Sequence, residues 1–405
     1  NEINAKCIYT DQERMLNKDS VRLLTWYDLP YVSDISKRKC NAEVQFILFS
    51  SGSTGEIKGI ECTQSGIKAA TNSINEVIGN NSDDNILCFL DFSFDYGLYQ
   101  IFLAYEVGAT ITIFSSNDNI LRIPEYIYKY RITGFPATPF LLKILSETRK
   151  ADVKRLSSLK YISSTGDYLS SELIDYYREI LPMTKVFPMY GLTECKRVSI
   201  LEPKDYEKHK NSVGKPISCC KVKIIKEDGT EAKCGEEGEL VVTGSNIMKG
   251  YYLDENLTNE KFVKKRDGTV ELHTGDIFTM DEDGFLYFVS RTQNYIKIRE
   301  IRVSPMSIEK EILETCEGIK ECLIVPLRET EREDRIFCFL RLREGFSINA
   351  AISGITGQLT HVYLPDYYYE YKDVFKHNLN GKVDRKKMTC LAKELFTAGI
   401  CIGQS

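Results

Sequence analysis

Short apolar runs recur along the first half of the chain: "VQFILF" at 44–49, "NILCFLDF" at 85–92 and "GATITIF" at 108–114. Runs of this length, rich in β-branched and aromatic residues, predict buried strands. Between the first two, residues 65–78 repeat their apolar positions at helical spacing, which predicts a helix. Strand and helix alternate, so the segment up to about residue 210 is expected to form an α/β sheet with crossover helices. At 221–243 the pattern shortens to alternating strands with turns at "EDGT" and "CGEEGE", which predicts a small β-rich region over about 211–292. A further break follows Arg291. Beyond it "SIEKEILETC" reads as a helix, "ECLIVPL" and "RIFCFLRL" as strands, and 350–364 as a helix that ends before Pro365. The expected fold class is therefore α/β, with a large N-terminal lobe, 1–292, holding a parallel-rich sheet and the β-rich region, and a smaller α+β lobe, 293–405. The chain shows no internal repeat and no low-complexity tract.

Composition narrows the class. With 405 residues, 42% of them hydrophobic, the chain can bury substantial cores in two or three domains. Its 53 basic and 58 acidic residues give a net charge of −5 and are interspersed rather than blocked. That argues against a nucleic-acid partner, which would call for a basic face. Thirteen cysteines is an odd number, there is no C-x-x-C spacing, and Cys88 and Cys338 sit inside apolar runs. They read as reduced core thiols of a cytoplasmic protein. The four histidines, His209, His273, His361 and His377, are too far apart to suggest a zinc site by spacing. No apolar run reaches membrane-spanning length and no signal peptide opens the chain. The first residue is Asn1 rather than Met, which hints at something removed or omitted upstream.

Four stretches carry candidate chemistry, and each has a plain alternative. In "FSSGSTGEIKG", 49–59, a strand runs into Ser50, Ser51, Gly52, Ser53, Thr54 and Gly55. Consecutive backbone N–H groups at such a turn can bind anionic oxygens, with Lys58 as a point charge at the rim. The spacing is not that of the Walker loop, since Gly59 follows the lysine, and the composition also suits a flexible surface turn. "MYGLTEC", 189–195, offers an aromatic, a glycine, a hydroxyl and a carboxylate that could stack a base, approach and donate to a phosphate, and hold a divalent cation. It is equally readable as a strand end followed by an N-capped helix. "HTGD", 273–276, places a carboxylate where a sugar diol could donate to it, or is a simple Asx-type turn. "NLNGKVDRKK", 378–387, sets Lys382 on an Asn-Gly turn, otherwise a solvated hairpin.

Taken in this order, with "GELVVTGSNIMKGYY" and "SRTQNYIKIREIRVSP" between them, the stretches resemble the adenylate-forming superfamily. That superfamily includes acyl-CoA synthetases, adenylation domains of nonribosomal peptide synthetases, acyl-AMP ligases and beetle luciferases. The resemblance runs from Phe49 to Arg385. It implies ATP-dependent activation of a small carboxylic acid to an acyl-adenylate, with Mg²⁺, followed by transfer to the thiol of CoA or of a carrier-protein phosphopantetheine. It also implies that the C-terminal lobe is mobile. By the same resemblance Ser50 to Gly55 and Lys58 hold the β- and γ-phosphates, Tyr190 stacks on adenine, Thr193 donates to the α-phosphate and Glu194 is the Mg²⁺ ligand. Asp276 accepts from the ribose hydroxyls, Arg291 makes a nearby ribose or phosphate contact, Asp167 lies beside the adenine, and Lys382 reaches the substrate carboxylate.

For the acid itself, "FSFDYGLYQIFLAYEVGATITIF" resembles the segment of amino-acid-adenylating domains in which an aspartate, here Asp95, pairs with the substrate ammonium. The implied pocket is lined by Tyr96, Tyr99, Pro136, Ser163, Thr165, Met189 and Arg197, and Arg197 could meet a second acidic group. The same segment also resembles free-standing acyl-AMP ligases, in which Asp95 would be a structural carboxylate with Arg197 as its partner. Amino acid and other acid both stay open. Three departures from the family pattern bear on activity: only 48 residues precede Phe49, where relatives carry another subdomain; Gln293 stands at the hinge in place of aspartate or lysine; and Glu300 replaces a glycine on the thiol's path. Adenylation is therefore better supported than thioester formation. The alternatives are an acyl-AMP ligase that transfers to an amine or stops at the adenylate, and a catalytically idle nucleotide-binding fragment.

Overall fold

The structure, a computed structural model, describes residues 8–10, 44–51, 57–92, 94–114, 119–148, 153–291, 296–298, 301–328, 334–359, 364–377 and 383–403. The chain divides into two compact units. The first comprises Asn1–Glu236, Leu240–Thr274 and Met280–Tyr287, and the second Glu237–Glu239, Gly275–Thr279 and Phe288–Ser405.

In the first unit eight described strands form one sheet, in the order Ile8–Thr10, Thr110–Ile113, Asn85–Cys88, Gly134–Ala137, Tyr161–Ser164, Lys185–Leu192, Cys195–Ile200 and Lys215–Pro216. The first six run parallel. Cys195–Ile200 returns antiparallel to Lys185–Leu192, and Lys215–Pro216 in turn pairs antiparallel with Cys195–Ile200. From Asn85–Cys88 the chain winds to one side, through the helix Asp95–Val107, and enters Thr110–Ile113; it then reappears on the other side as Gly134–Ala137. The direction of winding reverses at that strand, and such a reversal opens a crevice at the carboxyl ends of the strands. The helix that begins at Asp95 starts there.

Side-chain alternation explains how a short strand serves two cores. Leu87 packs with Phe135, Ile162 and Val186 against Ile127, Leu142 and Ile174, which come from the helices Ile123–Tyr130, Pro139–Glu147 and Ser171–Ile180. Ile86 and Cys88 face the opposite way, onto Ala104 of the helix Asp95–Val107. Each fully buried side chain of this kind contributes about 1.5–3 kcal/mol. The helix stops at Gly108, whose φ of 69° suits glycine and whose N–H reaches the carbonyls of Ala104 and Tyr105.

The apolar run at 44–49 is a strand, but not one of the main sheet. Val44–Ser51 pairs antiparallel with Ile57–Thr63 as a separate two-stranded ribbon. Only residues 52–56 lie between the two strands, too few for the crossover that a parallel neighbour needs. The expected helix at 65–78 is Gln64–Ile78, capped by Thr63, whose Oγ1 accepts from the Gly66 N–H at 3.1 Å. The β-rich segment forms a sheet in the order Cys220–Ile225, Gly238–Gly244, Val270–Met280 and Phe262–Lys264, with Leu286–Arg291 pairing on Val270–Met280.

The second unit has a four-stranded sheet, Ile319–Arg328, Asp334–Leu342, Tyr367–Glu370 and Ile402–Gly403. Ile324, Ile336, Cys338 and Leu340 face Ile308, Ile312 and Ile355 of the helices Pro305–Thr315 and Ile348–Gln358. Leu323, Val325, Phe337 and Phe339 face Met388 and Ala392 of the helix Arg385–Thr397. The helix expected at 350–364 is Ile348–Gln358 and stops at Leu359, which turns extended with ψ 149° while its side chain still enters the core. Burial continued past the helix end, and the apolar pattern followed burial. Every described cysteine is a free thiol. Among the described residues no helix is long and apolar enough to cross a membrane.

Gly97 sets how closely the Asp95 helix can approach the preceding loop: a Cβ there would lie 2.5 Å from the carbonyl oxygen of Asp91 and 2.8 Å from that of Leu90. Gly97→Ala is expected to cost about 1–3 kcal/mol of stability, read as a lower urea midpoint at unchanged m-value. An unchanged midpoint would mean that the helix start does not pack as tightly as described.

Candidate active site

At the far end of the parallel strands, "MYGLTEC" is a β-hairpin: Lys185–Leu192 turns into Cys195–Ile200, pairing Tyr190 with Ser199 and Leu192 with Cys195 across a register shift. The alternative of a capped helix after Glu194 is not what forms. Gly191 sits where the two strands crowd, since a Cβ there would come within 3.1 Å of the Cα of Arg197. The turn leaves Thr193 and Glu194 half-buried, while Cys195 to Ile200 are all buried. Met248 N–H donates to the Glu194 carbonyl at 2.9 Å, and the Tyr251 hydroxyl donates to Glu194 Oε1 at 2.8 Å. Burial, and then the Glu194 charge, push the Tyr251 phenol well above its ordinary pKa, so it remains a donor. The same ring lies under the Lys58 ammonium, 5.8 Å from Nζ to centroid.

The segment around Tyr251 also clasps the ribbon that carries the glycine-rich stretch. Lys249 N–H donates to the Glu61 carbonyl, Glu61 N–H to the Gly250 carbonyl, and Tyr252 N–H to the Gly59 carbonyl at 2.7 Å. Ser50 and Ser51 end the first ribbon strand, opposite Lys58 and Ile57. Gly52, Ser53, Thr54 and Gly55 lie outside the described residues, as do Gln293, Glu300 and Lys382. Lys58, Tyr251 and Glu194 are thus brought together in the first unit.

A second cluster lies deeper. Asp95, in the first turn of its helix, accepts from the Lys196 ammonium at 2.8 Å. Asp95, Lys196 and Arg197 are only 8%, 3% and 3% exposed. Lys196 Nζ lies 5.8 Å from the Tyr96 ring centroid and 5.0 Å from that of Tyr99, and the Arg197 guanidinium carbon lies 5.3 Å from that of Tyr96. The Tyr96 hydroxyl donates to the Ser163 carbonyl at 2.9 Å and is 2.8 Å from Ser163 Oγ. Burial pushes Tyr96 up to about 12, with Arg197 pulling the other way, so the phenol is neutral. Desolvation brings Lys196 down from 10.5 to about 8, against the pull of Asp95.

Sequence reasoning named Asp95, Tyr96, Tyr99, Ser163 and Arg197, and the fold brings these together. Pro136, paired in register with Ser163, and the buried Thr165 and Met189 sit at the same carboxyl ends of the strands. Asp167 is exposed and accepts from the next residue's N–H. Asp276 and Arg291 belong to the second unit, where Arg291 Nε meets Asp276 Oδ1 at 3.2 Å, and Asp276 is buried. Lys196 and Tyr251 escaped notice. The signal for Lys196 was two consecutive cations inside a strand of otherwise buried residues; nothing in the local pattern marked Tyr251. Among the described residues no three His, Cys, Asp or Glu side chains converge as a metal site. Glu194 alone suits Mg²⁺, which takes one or two carboxylates and completes its shell with water and substrate phosphates.

Residues 4–252 match the family described as AMP-binding enzyme. The chain is 24% identical over 376 residues to bacitracin synthase 1 of Bacillus licheniformis, covering 91% of this chain and 7% of that protein. It is 28% identical to 4-coumarate:CoA ligase 1 of Petunia hybrida, over 86% of this chain and 64% of that one. The chain therefore spans less than two thirds of the length of these relatives. The fold is that of o-succinylbenzoate CoA synthetase from Bacillus subtilis, solved with the acyl-adenylate intermediate OSB-AMP: TM-score 0.71, 24% identity, 84% of this chain and 68% of that one.

The lowered pKa of Lys196 gives a signed expectation. Between about 8 and 10.5 the unfolded lysine still holds its proton while the folded one has released it, so this residue's contribution to stability rises with pH across that window. Other buried groups titrate there too, and the readout is accordingly the stability difference between wild type and Lys196→Met, from urea unfolding at pH 7 and pH 10. That difference should shift in favour of wild type at the higher pH. A difference that stays constant would show that Lys196 titrates like a solvated lysine.

Proposed function

The chain belongs to the AMP-binding enzyme family, and on that premise we propose that it activates a carboxylic acid with ATP and passes the acyl group to a thiol, of CoA or of a carrier-protein phosphopantetheine. In the first step a carboxylate oxygen attacks the α-phosphorus, the bond to the bridging oxygen breaks, and pyrophosphate leaves with the electron pair. In the second the thiolate attacks the acyl carbon and AMP departs. The observation that carries this reading is the line from the Lys58 ammonium over the Tyr251 ring to the Glu194 carboxylate. A carboxylate must approach a polyanion, so opposite charge has to be held ready where negative charge gathers.

Lys58 and the backbone after Ser51 would take the leaving phosphates, and Thr193 would donate to the α-phosphate. Glu194, oriented by Tyr251, would hold Mg²⁺, which when bound offsets phosphate charge. Tyr190 and Asp167 are assigned to the adenine, Asp276 and Arg291 to the ribose, and Lys382, from the lobe 293–405, to the charge developing on the acyl carboxylate. A relative named for joining coumarate to CoA and a fold neighbour holding an acyl-adenylate support the two steps. An amino-acid substrate would have to share Asp95 with Lys196. Glu300 favours a second reading, in which the adenylate is released or passed to an amine, because a carboxylate stands where relatives offer a glycine to the thiol arm.

Exchange of labelled pyrophosphate into ATP tests the first step: it should require both Mg²⁺ and an acid. ATP binding without exchange for any amino, aryl, aliphatic or dicarboxylic acid would overturn the proposal. In an exchanging preparation, Lys382→Ala should lower the rate by about 10²–10³ with ATP affinity nearly unchanged, because the lysine acts on developing charge. A wild-type rate in that variant would remove Lys382 from the mechanism.

A further inference from the structure

The deep cluster has an unequal charge count. Asp95 supplies one negative charge against two positive ones, Lys196 and Arg197, and all three side chains are almost wholly buried. Among the described residues, the other titratable groups around them do not restore the balance. Tyr96 and Cys62 are each pushed up to about 12 by burial, and Tyr99 and Cys195 are raised well above their ordinary values for the same reason. All four are therefore neutral at physiological pH. Glu194, next along the chain from Cys195, is engaged by Tyr251. Among the described residues, one positive charge is left over beneath the surface.

That surplus falls on Arg197. Lys196 has its direct partner in Asp95 at 2.8 Å, whereas Arg197 rests on the face of Tyr96 and its buried Nε has no hydrogen-bond partner among the described residues. An unpaired buried charge is costly, and a guanidinium N–H without an acceptor adds to that cost. The strand holds the residue in place regardless: its backbone carbonyl accepts from Asn246 Nδ2 at 2.7 Å, and its Cα lies so near Gly191 that a Cβ there would come within 3.1 Å of it. A planar fork of donors, fixed in position and short of one negative charge, matches a carboxylate.

We propose that the activated acid carries a second carboxylate, and that Arg197 receives it with Lys196 and Asp95 holding the charge balance around it. The inference rests on the adenylation reading in that the first carboxylate is the one activated. A substrate anion would bring the buried count to two against two, and an acid without it would leave Arg197 as it is. Ser163 and Tyr96, tied to each other, form the neutral wall of this subsite.

Calorimetry of the full chain with succinate and glutarate, against butyrate and valerate of the same lengths, reads the subsite without any need for turnover. The dicarboxylates should bind at least about tenfold tighter, the difference that one charge-assisted hydrogen-bonded pair of roughly 1.5–3 kcal/mol supplies. Arg197→Leu should level the two classes, and Arg197→Lys, which keeps the charge without the fork, should restore part of the preference. Equal binding of both classes by wild type, no binding of any acid, or a preference that survives in Arg197→Leu would each overturn the proposal. If Arg197→Leu fails to fold, as judged by circular dichroism, the wild-type series and Arg197→Lys still decide. Dicarboxylate preference in calorimetry with no pyrophosphate exchange would support the subsite while overturning adenylation, so the two failures are told apart.

Discussion

Lys196 and Asp95 meet at 2.8 Å inside a wall of tyrosines, and the geometry of the crevice depends on that meeting. At an effective dielectric of 20 and a 4 Å separation, Coulomb attraction is about 4 kcal/mol, while taking each ion out of water costs several. The pair is a poor source of stability on those terms. What it does is join two elements that the backbone does not: the first turn of the helix leaving Asn85–Cys88, and the strand Cys195–Ile200 at the far side of the parallel strands. The helix start adds its own favourable field at Asp95, since the partial positive charge of the first turn faces a carboxylate there.

The same hairpin carries two kinds of charge at two depths. Glu194 lies half-buried at the turn, and Lys196 and Arg197 follow in the buried strand. Because a strand advances only about 3.4 Å per residue, charges assigned to metal and phosphate and charges assigned to the acid are fixed within a short distance by one covalent segment. Tyr251 links this segment to the ribbon of Lys58 through a hydrogen bond on one side and a ring face on the other. The groups proposed to offset a polyanion are thereby tied to one another across the hairpin turn and the ribbon strand of Lys58.

Much of this was legible in the sequence. The runs at 85–92 and 108–114 hold the short strands Asn85–Cys88 and Thr110–Ile113 because β-branched and aromatic residues cluster between turn signals, and the helix at 65–78 shows its period. The run at 44–49 was legible as a strand but not as a ribbon, since pairing partners depend on connection length rather than composition. Asp95 and Arg197 came into view through the family resemblance, and Glu194 through the motif "MYGLTEC". Lys196 did not, because a lysine beside an arginine ordinarily marks a solvated face, and only the fold shows both cations buried against Asp95. Tyr251 was hidden for another reason: its role comes from contacts with Lys58 and Glu194, residues far from it in sequence.

Specificity placed in a buried strand, as proposed for Arg197, has a consequence for how it can change. A surface loop can exchange one charge for another with water taking up the difference. Here Asp95, Lys196 and Arg197 share one unsolvated environment, so altering any one of them alters the cost of the other two, and single substitutions will not act additively. Replacing Arg197 with a neutral residue removes the surplus charge and ought to relieve the fold while withdrawing the group assigned to the acid; replacing Asp95 leaves two cations facing each other and ought to burden it. Stability and selectivity are therefore opposed at Arg197 and aligned at Asp95. Such an opposition is what the proposed ligand role of Arg197 entails, because packing alone would be better served by an uncharged residue of similar volume on Tyr96.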